Sequence, residues 1–164
     1  MRSVNRSTAT DDSVKQPTIK PVSAEQIRAL IKFLPILESI NPEDLAWVVK
    51  PPAPAKDRLV IGQLEYHPAV HEFMRACYDN GFVQPFDWPA WAKEGGRYIN
   101  DSELVGTARL NTCIKLITAS LRYERFCDGH LGEVIKSGHI AAILRRLKRL
   151  ADTRPENTEN SKAD

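Results

Sequence analysis

No apolar run in this chain is long enough to cross a bilayer, so no membrane-spanning segment is expected. Cysteine is scarce. Cys77, Cys113 and Cys127 form an odd set without short spacing, which excludes a disulfide framework. They read as small buried hydrophobes in a reducing compartment. The opening stretch, MRSVNRSTATDDSVKQPTIKP, lacks an apolar core and so does not read as a secretory signal. Asp11 and Asp12 argue against a transit peptide, and a cytoplasmic location is the expectation. The motifs that announce chemistry are also missing: no G-x-S-x-G, P-loop, G-x-G-x-x-G or H-E-x-x-H occurs. Nucleophilic catalysis therefore has no motif behind it, and no cofactor is expected.

What is present fits one domain of ordinary size. The 164 residues are 42% hydrophobic and 27% charged, a balance typical of a soluble globular chain. The net charge of +2 conceals a polarity. Residues 109–154 hold ten Lys and Arg against four Asp and Glu, whereas residues 23–108 hold eight against twelve. A basic C-terminal half beside an acidic middle points either to an anionic partner or to pairing between the halves.

Helical signals dominate. Ser23 and Gln26 form a capping box, and Ile27, Leu30, Ile31, Leu34 and Leu37 share one face, with Pro35 expected to kink or divide the run. Asn41-Pro42-Glu43-Asp44 reads as the start of a second helix reaching about Val49. Pro51, Pro52 and Pro54 end it, and the β-prone Leu59-Val60-Ile61 reads as loop for want of a partner strand. A helix from Pro68 closes at Asn80-Gly81. Asp87 caps a short helix expected to stop at Gly95-Gly96. The long central helix starts at Asp101 or Thr107 and is expected to run through Cys127. It has two apolar faces: Leu110, Ile114, Ile117 and Leu121 on one, Leu116, Ala119, Tyr123 and Cys127 on the other. A helix buried on two sides is central in its domain. After Asp128-Gly129 comes a short helix with Leu131, Val134 and Ile135, then Ser137-Gly138, then a final amphipathic helix from His139 to about Ala151.

The expected fold is all-α, a single helical domain of five to seven helices over residues 22–152. Residues 1–21 and 153–164 are polar and aperiodic and read as disordered ends. The runs FDWPAW at 86–91, LNTCIKLITASLRYERFCDGHL at 110–131 and SGHIAAILRRL at 137–147 resemble a bacterial family of unknown function, DUF6508. The resemblance covers about Tyr66 to Leu150 and implies a small stand-alone bacterial protein. It carries no activity, cofactor or residue role.

Three constellations remain as candidates. The cations Arg145, Arg146, Lys148 and Arg149, with Arg122 and Arg125 upstream, could neutralise phosphates, or could be a solvated helix face. Phe86, Asp87, Trp88 and Trp91 form an aromatic cluster that could stack a ligand, or could pack a long loop onto the core. Cys127, His130 and His139 are a weak metal set, because only one tight couple, Cys127-x-x-His130, is present. The reading is a non-enzymatic binding or accessory module with a protein or nucleic-acid partner and no membrane role. The alternatives are a nucleic-acid-binding regulator using the basic last helix, and an enzyme or metal protein around Cys127, His130 and His139.

Overall fold

The computed structural model describes residues 17–50, 62–99 and 101–153. Helix α1 (Ala24–Ile31) begins with the expected capping box: Gln26 N–H donates to Ser23 Oγ (3.1 Å) and Ser23 N–H to Gln26 Oε1 (2.7 Å). Pro35 sets its end. A proline ring collides with the carbonyl four residues back, here Ile31, so the chain breaks at Lys32 and restarts as α2 (Phe33–Ser39).

The expected helix over Pro42–Val49 is corrected. Pro42–Asp44 makes a single 3-10 turn with proline first, and Ala46–Val49 is then a strand, β1. Trp47, Val48 and Val49 are aromatic or β-branched and suit a pleated backbone. They find an antiparallel partner in β2 (Gln63–Tyr66), with Ala46 opposite Tyr66 and Val49 opposite Gln63. The expected loop at Leu59-Val60-Ile61 lies outside the described residues.

Helix α3 (Pro68–Asp79) ends at Asn80, and Gly81 follows with φ of 71°. Helix α4 (Trp88–Ile99) is capped by Asp87, whose Oδ1 accepts from Ala90 N–H at 3.0 Å. It does not stop at Gly95-Gly96 but continues a turn further. Gly95 is there for packing, since a Cβ on it would lie 2.2 Å from the indole of Trp91. Asp101 caps only a four-residue helix, α5 (Ser102–Val105), through bonds from Glu103 N–H and Leu104 N–H.

The central helix, α6, is Leu110–Tyr123, shorter at both ends than the expected 107–127. Both its flanks are buried: Ile114, Ile117 and Leu121 on one, Leu116 and Ala119 on the other. Helices α7 (His130–Lys136) and α8 (His139–Asp152) follow, and each is entered through a glycine with positive φ, Gly129 at 91° and Gly138 at 79°. Helix α8 lies along α1 and α6 and buries Ile140, Ile143, Leu144 and Leu147. The fold is all-α apart from the two-stranded ribbon. With α1 and α2 taken as one broken helix, seven helices stand among the described residues.

The packed chain begins earlier than residue 22. Ile19 and Val22 are buried. Gln84 holds this segment: its Oε1 accepts from Lys20 N–H (2.7 Å), and its Nε2 donates to Lys20 O (3.0 Å) and Gly81 O (2.7 Å). The amide thus pairs with the backbone of Lys20 as a neighbouring strand would. Gln84 N–H in turn donates to Thr118 Oγ1 (3.1 Å), which donates to Phe82 O (2.9 Å). A buried polar pair inside the core is satisfied on every side, as burial requires.

Candidate functional site

Leu116, Ala119, Ser120 and Tyr123 recur at helical spacing along one face of α6. Trp88 and Ile99 of α4 line the same space, as do His130, Val134, Ser137 and His139. Together they line a partly open pocket of about 160 Å³. A second, more open groove of about 390 Å³ lies beside it, lined by Phe86, Trp88, Ala119, Arg122, Tyr123 and Phe126. Trp88, Ala119 and Tyr123 line both.

The rings are in mutual contact. Phe86 meets Trp91 edge-on (5.6 Å between centroids), Trp91 meets Trp88 (5.5 Å), Trp88 meets Tyr123 (5.4 Å) and Tyr123 meets His130 (5.3 Å). The Lys115 ammonium sits over Phe86 and Trp91, 5.6 and 5.8 Å from the ring centres. Exposure grades outward: Phe86 and Trp91 are buried, Tyr123 is 46% exposed and Phe126 is 90% exposed. Trp91 is thus packed into the core, while Phe86, Trp88, Tyr123 and Phe126 line the groove.

His139 is 5% exposed and its Nδ1 lies 3.3 Å from Ser102 Oγ. Burial pushes its imidazole below the ordinary histidine value, which keeps it neutral. His130 opens α7 directly after Gly129. Glu124 fixes that entry, because its carboxylate accepts from Gly129 N–H (3.1 Å) and Leu131 N–H (2.7 Å).

The suggested metal set does not assemble. His130 and His139 share the pocket wall, but Cys127 is not part of it, and no cluster of three His, Cys, Asp or Glu able to hold a metal occurs among the described residues. Cys127 is also exposed, in the turn after α6, rather than buried. The helix ends four residues before it, so the face that would have buried it is gone. Cys77 and Cys113 are buried as expected, and burial pushes the Cys113 thiol up to about 12.

The cations divide into two groups. On α8, Arg145 is paired with Glu38, and Arg146 is half-buried with its Nε donating to Ala108 O at 2.7 Å. Lys148 and Arg149 are exposed. Arg122 instead lines the aromatic groove, and Arg125 Nη2 donates to Tyr78 Oη at 3.3 Å. The structure therefore joins Arg122 to Phe86 and Trp88, two constellations that were separate in sequence. Phe126, Val134, Ser120 and Ser137 stand outside the three candidate constellations. A signal existed for Phe126, which follows Arg122 by four residues and Tyr123 by three, next to the last positions of α6.

No curated protein and no solved structure matches the chain. The model of one family, described as a family of unknown function, matches residues 22–153, which spans the three sequence runs, α1 to α8 and both cavities. The chain belongs to that family, DUF6508.

Proposed function

We propose that the domain is a binding module of a bacterial cytoplasm and that it takes single-stranded nucleic acid along the aromatic groove. The observation that carries this reading is the meeting of Phe86, Trp88, Tyr123 and Phe126 with Arg122 in one open groove. Bases stack on aromatic rings with little regard to sequence, at about 1–3 kcal/mol per base. Arginine neutralises the phosphates between them. A phenyl ring held almost wholly in water, as Phe126 is, gains by being covered. The α8 cations have the smaller part, because Arg145 and Arg146 already hold Glu38 and the Ala108 carbonyl.

Fluorescence anisotropy of a labelled oligonucleotide of about 12 nucleotides at low salt tests this. Expected is saturable binding that weakens as salt rises. Phe126→Ala and Arg122→Gln should each cost about tenfold, and Arg122→Gln should reduce the salt slope by about one. The triple change Arg145→Gln, Arg146→Gln, Arg149→Gln should cost less than Arg122→Gln alone. Absence of binding, or binding indifferent to Phe126 and Arg122, overturns the nucleic-acid reading. Tryptophan, tyrosine and arginine also dominate protein interfaces, so a protein partner would then be the reading for this groove.

A further inference from the structure

We propose that the inner pocket between α4, α6 and α7 is a binding site for one small, uncharged aromatic ring that carries a hydrogen-bond donor, of which a phenol is the simplest case. The pocket shares Trp88, Ala119 and Tyr123 with the groove, and the inference holds whatever polymer the groove takes.

Size comes first. The pocket measures about 160 Å³. An apolar cavity of about 150 Å³ accepts benzene. One six-membered ring with a small substituent fits that volume. Charge comes second. No Asp, Glu, Lys or Arg lines the pocket, whose two imidazoles are His130 and the buried His139, which burial keeps neutral. A charged ring would lose its hydration without a counterion. The walls offer Trp88 and Tyr123 as ring faces and edges, and Leu116 and Val134 as apolar contacts.

Polarity comes third. Two serines line the pocket, and each hydroxyl hydrogen is already committed. Ser120 Oγ donates to Leu116 O and Ser137 Oγ to Val134 O, both at 3.0 Å. What the two oxygens offer a guest is lone pairs. His139 meets Ser102 through Nδ1, which leaves Nε2 as its other polar atom. The two serine oxygens, and Nε2 in the tautomer whose Nδ1–H donates to Ser102 Oγ, would accept from a ring O–H or N–H. The mixture of an apolar pocket with a few convergent polar groups is that of a small-molecule site.

The test uses the full chain and 4-fluorophenol, followed by fluorine resonance of the ligand and amide shifts of the protein. Expected is saturable binding with Kd of about 0.1–1 mM, with shifts centred on Ser120, Ser137 and His139. Toluene, the same ring without a donor, should bind at least about tenfold more weakly, and benzoate should not bind. Val134→Phe puts a ring into the pocket and should abolish the response while Arg122→Gln leaves it intact. If Val134→Phe does not fold, the double change Ser120→Ala, Ser137→Ala replaces it, and phenol affinity should fall to that of toluene. No saturable response up to about 10 mM 4-fluorophenol, equal affinity for toluene or benzoate, or unaltered binding in the pocket variant would overturn the assignment.

Discussion

Tyr66, the last residue of β2, donates its hydroxyl hydrogen to Glu124 Oε1 at 2.8 Å, immediately beyond the end of α6. The same carboxylate accepts the two backbone N–H groups that open α7. One side chain thus joins the ribbon, the central helix and the pocket wall. Glu124→Ala leaves a half-buried hydroxyl and two amides without their acceptor, and should lower unfolding free energy by about 2–4 kcal/mol. Tyr66→Phe should cost about 1–2 kcal/mol. Because they remove one network, the double variant should fall short of the sum in urea denaturation. Strict additivity would show that the two act independently.

Gly95 and Gly96 are adjacent in α4 and should respond to alanine with opposite signs. Alanine gains about 1 kcal/mol of helix propensity at either position. At Gly96 nothing lies within 4 Å of the added carbon, so Gly96→Ala should raise the melting temperature by a few degrees. At Gly95 the carbon would overlap the buried Trp91 ring, and a displaced indole also leaves Lys115 and Phe86. Overpacking costs about 1–3 kcal/mol, more than the propensity gain, so Gly95→Ala should melt lower.

His139 makes stability depend on pH in a defined direction. Its folded-state pKa is lowered by burial, whereas an unfolded chain titrates at about 6.5. Below that pH the unfolded state binds more protons than the folded one, so stability is full above about pH 6.5 and declines as pH falls toward the folded value. Thermal melts at pH 7.5 and 5.5 should show the loss, and His139→Gln should shrink the difference. An equal loss in the variant would assign the acid sensitivity to other groups.

Gln84 and Ile19 hold the segment ahead of α1. Ile19→Ala should cost about 2–4 kcal/mol, and Gln84→Ala, which strands both backbone groups of Lys20, about 2–3 kcal/mol. Chemical denaturation measures both. A change within about 0.5 kcal/mol for Ile19→Ala would place that residue outside the cooperative core.

Much of this architecture is legible in the sequence because its signals are local. The Ser23–Gln26 box, the glycines before His130 and His139, and the two apolar faces of Ile114–Leu121 each act within a turn or two of the chain. The misses depend on distant partners. Trp47-Val48-Val49 becomes a strand only because Gln63–Tyr66 lies beside it. The candidate site divides the same way. Its aromatics and cations are visible as types, but which of them meet is decided by packing. Arg122 and Trp88 converge, whereas Arg145 and Arg146 are held by Glu38 and Ala108, residues remote in sequence.

The two left-handed glycines have a kinetic consequence. Between Gly129 and Gly138 lies a helix of only seven residues, too short to persist without tertiary support. Glu124 pins its entry at Gly129 and Leu131, so a swing is expected about its exit at Gly138. In amide hydrogen exchange, the N–H groups of Val134 to Ser137 should therefore open at lower free energy than those of Ile114 to Leu121, as one cooperative unit. Because the same short helix supplies His130 and Val134 to the pocket, occupancy of the pocket should slow exchange there first.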